Sequence, residues 1–144
     1  MRMFTIGFTK KSAEEFFTRL YSPGVKRLVD VRLNNVSQLA GFSKRDDLRY
    51  FLKAICAIDY VHVPELAPTQ AMLDEYRKAK QGWDEYAAAY HALIAERRVE
   101  STLDRETFGD SCLLCSEAEP DHCHRRLAAE YLRGRWGDVE IVHL

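Results

Sequence analysis

Arg27-Leu28-Val29-Asp30-Val31-Arg32 is the stretch whose reading decides the fold. Leu28, Val29 and Val31 make it a short, branched, buried-looking strand that carries two charges. A helix signal stands on either side of it. Upstream, Ser12 is a helix N-cap and Glu15 completes a capping box. That helix carries Phe16, Phe17 and Leu20 and stops at Ser22-Pro23-Gly24. Downstream, beyond a polar loop from Leu33 to Ser43, Ser43 caps a helix bearing Leu48, Phe51, Leu52 and Ile55 at helical spacing.

The same alternation continues outward. Met3 to Phe8 reads as a first strand, Tyr60 to Val63 as a third closed by Pro64, Ser111 to Cys115 as a fourth and Val139 to His143 as a last. Residues 70–98 read as helix in two pieces broken near Gly82, with Tyr86, Tyr90, Leu93 and Ile94 as a core stripe. Pro120 and Asp121 begin a final helix through Leu127, Ala128, Tyr131 and Leu132, ended by Gly134. Strands alternating with helices predict one α/β domain over residues 1–144. Its sheet is expected to be mostly parallel, of about five strands, with helices on both faces in a Rossmann-like three-layer arrangement. Right-handed crossovers gather the strand-to-helix loops on one edge, and ligands of such folds sit in the crevice outside the strands' carboxyl ends.

Bulk properties narrow the partners. Formal net charge is −1, so no overall basic field collects nucleic acid; nucleic acid as a partner is not supported by charge, and a small polar or anionic ligand is the expectation. No apolar run is long enough to span a membrane, and the one at Met1–Gly7 is too short for a signal peptide. Cys56, Cys112, Cys115 and Cys123 are expected as thiols in a cytoplasmic chain rather than as disulfides. Oligomeric state is not readable from composition.

Two constellations fall at the strand ends. Asp30 and Arg32 lie two apart on a strand, so they share a face. Unpaired buried charge costs several kcal/mol, so the two either pair as a structural bridge or serve a ligand, with Asp30 orienting Arg32. The second is Cys115-Ser116-Glu117-Ala118-Glu119-Pro120-Asp121-His122-Cys123-His124-Arg125-Arg126, running from a strand end into the first turn of a helix. A helix dipole there favours thiolate.

Three chemistries compete for this segment. A phosphatase-type cysteine loop needs arginine six residues past its nucleophile, where this chain has Asp121; with Glu117 and Glu119 before it, charge disfavours that reading. A metal site would use Cys115, Cys123 and His124, with zinc as the ion, although the spacing matches no standard zinc pattern. The third is a thiol or carboxylate active site, with Cys115 or Cys123 as nucleophile or redox pair, Glu117 as acid or base and Arg125 as anion clamp. Against all three stands packing, with Cys115 in the core, Glu117 or Asp121 capping the helix and the arginines solvated. Lesser candidates are Thr9 after the first strand, Asn34, Ser37 and Gln38 in the second loop, and Glu65 after the third strand. His62 reads as a satisfied mid-strand histidine.

Thr5-Ile6-Gly7, Glu14-Glu15-Phe16, Asp30-Val31-Arg32, His62-Val63-Pro64-Glu65-Leu66, Leu114-Cys115-Ser116-Glu117 and Cys123-His124-Arg125-Arg126 together resemble the family called domain of unknown function 488. The resemblance implies a compact cytosolic α/β protein and marks Asp30, Arg32, Glu65, Cys115, Glu117, Cys123, His124 and Arg125 as motif positions. It implies no reaction. The chain departs from the common pattern at Phe8, where many members carry histidine, and at Asn35 and Gln38, where proline and arginine are frequent.

The functional expectation is an enzyme, a thiol- or carboxylate-dependent hydrolase or transferase, acting on a small polar or anionic, nucleotide-like substrate. Thr9, Asp30, Arg32, Asn34, Glu65, His124 and Arg125 would bind it, and Cys115, Glu117 and Cys123 would act on it. The alternatives are a non-catalytic nucleic-acid or protein binding module and a metal-binding protein.

Overall fold

The computed structural model describes residues 1–36, 41–78 and 82–144. Ser37 and Gln38 lie outside the described residues. Five strands form one sheet: β1 (Arg2–Gly7), β2 (Arg27–Asp30), β3 (Asp59–His62), β4 (Ser111–Cys115) and β5 (Glu140–His143). All pairings are parallel, in the order β3-β2-β4-β1-β5. The helices are α1 (Ala13–Tyr21), α2 (Arg45–Phe51), α3 (Gln70–Arg77), α4 (Trp83–Glu96), α5 (Val99–Thr102) and α6 (His124–Trp136).

From β1 to β2 to β3 the chain steps toward one edge of the sheet; from β3 to β4 to β5 it steps toward the other. With right-handed crossovers that reversal puts the two sets of helices on opposite faces. The packing follows. Phe16, Phe17 and Leu20 of α1 and Leu48 of α2 bury against Phe4, Ile6, Leu28 and Leu114. Tyr90 and Ile94 of α4, Val99 of α5 and Ala128 and Leu132 of α6 bury against Met3, Val29, Val31 and Leu113. The fold is the expected three-layer α/β sandwich. Adjacent β2 and β4 send their chains to opposite faces, so a crevice opens between their carboxyl ends.

Local signals acted largely as read. The Ser12 side chain accepts from the Glu15 N–H at 3.1 Å, and Gly82 is the N-cap of α4. Four expectations need correction. β2 ends at Asp30, two residues early, because the Arg32 N–H turns to Asp30 Oδ1 at 3.1 Å instead of a neighbouring strand. Ser43 is not the cap of α2; it is buried in a preceding turn, and Lys44 holds the cap position. The Arg45 N–H is bonded to the Asn35 carbonyl at 2.7 Å, which fixes where α2 starts. After Phe51 the helix widens into a π turn over Leu52–Cys56, so the period shifts and Ile55 is 55% exposed. Finally, α6 begins at His124 rather than Pro120, since residues 116–122 remain a loop held by other contacts. It runs through Gly134 to Trp136, whose ring packs on Phe108 at 5.5 Å, and Gly137 at φ 67° ends it.

Candidate active site

The crevice between β2 and β4 is lined on one side by the continuation of β2. Asp30 is fully buried and grips Arg32 through Nε to Oδ1 at 2.8 Å and Nη2 to Oδ2 at 2.9 Å. The Tyr60 hydroxyl donates to Oδ2 at 2.6 Å and Asn35 Nδ2 donates to it at 3.3 Å. Burial pushes the Asp30 carboxyl up, but the hydrogen bonds and charge of Arg32, with Tyr60, outweigh it and hold the group below the usual carboxylate range. Arg32 Nη1 has no hydrogen-bond partner among the described residues, and the guanidinium lies over the Phe8 ring at 5.5 Å. The pair forms the structural bridge that the spacing suggests, and Arg32 also lines a cavity.

The other wall is the loop from β4 to α6. Three contacts fold it. Thr9 donates to the Ser116 carbonyl through Oγ1 at 2.6 Å and through N–H at 3.1 Å. Arg125, fully buried, donates through Nη1 to the Glu117 carbonyl at 2.6 Å and through Nη2 to the Ala118 carbonyl at 3.4 Å. Gly7 completes the seat. A Cβ there would lie 1.6 Å from the Glu117 oxygen, so only glycine lets the loop lie against the end of β1.

Within this frame three soft or basic groups meet. Cys115 is the last residue of β4, Cys123 is the N-cap of α6, and His124 is the first residue of that helix. Cys115 Sγ lies 3.4 Å from His124 Nδ1, and His124 Nε2 lies 2.8 Å from the Val31 carbonyl oxygen. A carbonyl can only accept, so Nε2 carries a proton and Nδ1 presents its lone pair to the thiol whenever the ring is neutral. The Cys123 S–H hydrogen bond, working against burial, holds the Cys115 thiol below its ordinary value; the Ser116 N–H, the Arg125 charge and the Glu117 N–H assist. Burial pushes Cys123 well up, and the neighbouring Cys115 adds to this.

Both walls face one cavity of about 400 Å³. Arg32 and Asn34 line it from the β2 side, Cys115, Ser116, Glu117, Cys123 and His124 from the β4 side, and Tyr76, Arg77 and Tyr86 from α3 and α4. The Tyr76 and Tyr86 rings stack with centroids 4.7 Å apart. Its size suits a small molecule. A larger, apolar groove of about 790 Å³ runs between α1 and α2 past Phe17, Phe42 and Phe51. Among the described residues its lining holds no thiol, imidazole or buried cation.

The family described as Domain of unknown function DUF488 matches residues 12–132, which include both walls of the cavity. The chain belongs to this family. No curated protein matches the chain, and no solved structure does.

The structure brings some of the residues singled out in the sequence together at the cavity and leaves others apart. Cys115, Glu117, Cys123, Arg32, Asn34 and His124 share the cavity, Glu117 as an exposed carboxylate at its rim. Asp30 stands behind Arg32. Arg125 does not line the cavity, and the expected clamp of Arg32 against Arg125 is not formed; loop carbonyls take the Arg125 guanidinium instead. Thr9 holds the same loop and is likewise absent from the lining. Glu65 is exposed away from the cavity, with its carbonyl bonded by Arg97 at 2.9 Å. His62 is a satisfied histidine, its Nε2 2.9 Å from the Arg32 carbonyl. Sequence reasoning missed Tyr76, Arg77, Tyr86 and His122 of the lining. Tyr86 shares a helical stripe with buried Tyr90 and Ile94, so periodicity alone marks it as core.

Proposed function

We propose that the chain is a thiol-dependent hydrolase or transferase acting on a small, anionic, nucleotide-like substrate, with Cys115 as nucleophile and His124 as its base. One observation carries the reading: Cys115 Sγ sits 3.4 Å from a His124 ring whose far nitrogen is tied to the Val31 carbonyl, at the wall of a cavity that also holds Arg32. His124 Nδ1 takes the thiol proton. The Cys115 sulfur bonds to an electrophilic carbon of the substrate, and the leaving group departs with the proton returned by His124. Water, or a second acceptor, then cleaves the sulfur–carbon bond as His124 removes its proton. The Arg32 cation in the cavity lining supports binding of an anionic group, and the stacked Tyr76 and Tyr86 support a planar ring.

Alkylation by iodoacetamide with peptide-level mass spectrometry tests this. A free thiol of pKa about 8.5 is roughly 3% thiolate at pH 7. A thiol whose pKa lies near the ambient pH is about half ionised, a gain of about 15-fold in thiolate, cut to about three- to fourfold in rate by the lower nucleophilicity of a more acidic thiol. Cys115 should label about threefold faster than free cysteine at pH 7, and His124→Gln should remove the advantage. A Cys115 rate no faster than free cysteine, or one untouched by His124→Gln, refutes the dyad.

A further inference from the structure

We infer that Cys115, Cys123 and His124 form a binding site for a thiophilic divalent cation of the zinc class, and that the ion caps the Cys115 sulfur. The silencing of Cys115 rests on the nucleophile reading above, whereas the binding rests on the three donor atoms alone. Their Sγ, Sγ and imidazole nitrogen all lie within 4.8 Å of one another, and all three residues are buried.

A tetrahedral ion with metal–sulfur bonds of about 2.3 Å and metal–nitrogen bonds of about 2.0 Å holds its sulfur and nitrogen donors about 3.5 Å apart, and two sulfurs about 3.8 Å apart. The Cys115–His124 separation of 3.4 Å already meets the first requirement. Closing the remaining separations from at most 4.8 Å takes shifts of about 1.3 Å or less, within reach of rotamer adjustment. His124 is also set as a metal-binding imidazole must be. The Val31 carbonyl accepts from Nε2 at 2.8 Å, fixing the ring with its Nδ1 lone pair toward Cys115 Sγ. All three residues line the cavity, as does Glu117, which leaves water or that carboxylate to supply a fourth ligand, as in sites with three protein ligands.

Binding costs the apo site little rearrangement and releases the thiol protons, forming two metal–sulfur bonds with no change in oxidation state. Once Cys115 Sγ coordinates the ion, its lone pair no longer attacks carbon and His124 Nδ1 no longer accepts its proton. One set of atoms therefore gives two states: a reactive metal-free dyad and an inert metal-bound cluster.

Cobalt(II) titrated into the chelator-stripped full-length chain is the probe. We expect one equivalent to give the thiolate-to-cobalt charge-transfer band and tetrahedral visible bands, and zinc to displace it. Cys115→Ser and Cys123→Ser should lose the bands, and Cys56→Ser and Cys112→Ser should keep them. X-ray absorption of the zinc-loaded wild-type chain should show two sulfur and at least one imidazole neighbour, which holds the test open if a variant fails to fold. Absence of thiolate bands, retention of them in Cys115→Ser or Cys123→Ser, or a zinc shell without sulfur overturns the site. Stoichiometric zinc should slow Cys115 alkylation at least about tenfold. An unchanged rate with zinc bound overturns the capping. Fast alkylation without cobalt bands removes the metal site and leaves the dyad; cobalt bands with slow metal-free alkylation remove the dyad and leave the metal site.

Discussion

Replacing Asp30 with alanine removes the acceptor of the five hydrogen bonds from Arg32 N, Nε and Nη2, Tyr60 and Asn35. Charge-assisted bonds are individually worth about 1.5–3 kcal/mol, but they share one acceptor and do not add. The larger consequence is an Arg32 cation, 2% exposed, with no counter-charge beside it. Breaking a buried pair in this way costs about 3–5 kcal/mol, against roughly 5–15 kcal/mol for the whole fold. Urea unfolding of Asp30→Ala should lose about that much. Asp30→Leu combined with Arg32→Met, which removes both charges, should recover most of the loss. The pH dependence has a determined sign. Because the folded carboxyl is held below its usual range, the stabilisation is fully present above the unfolded value of about 3.9 and is lost as pH falls through the lower folded value. Wild type should therefore weaken in acid more steeply than the double variant. A loss under about 1 kcal/mol in Asp30→Ala, or no coupling between positions 30 and 32, refutes the idea that this bridge holds the β2 end.

Gly7→Ala forces the Glu117 backbone to move and should destabilise the fold by about 1–3 kcal/mol. It should also slow Cys115 alkylation, because the Ser116 and Glu117 N–H groups shift off the sulfur; an unchanged rate counts against their part in activating it. Arg125→Met strips the Glu117 and Ala118 carbonyls of a buried donor and should lower urea stability by about 1–3 kcal/mol. If stability is unchanged in that variant, Arg125 does not organise the loop.

The sequence by itself determined the layer architecture. Helix caps, apolar runs and their periods act over a few residues, and the observed helices α1 and α4 and strand β4 follow from Ser12, Gly82 and the run Ser111–Cys115. The Asp30–Arg32 pairing was legible for the same reason, since two residues apart on an extended chain share a face. Tertiary structure decided the rest of the site. Whether Arg125 or Tyr86 reaches the cavity depends on which element lies opposite, and no local spacing encodes that. Cys123 and His124 are sequence neighbours whose side chains would diverge by about 100° if both were helical, so helical spacing alone does not bring them together. Cys123 instead adopts extended backbone at the N-cap, φ −135° and ψ 137°, so it escapes the helical phase and its sulfur joins Cys115 and His124. That convergence is set by β2 and β4 lying side by side, with the Val31 carbonyl bonding an imidazole far along the chain.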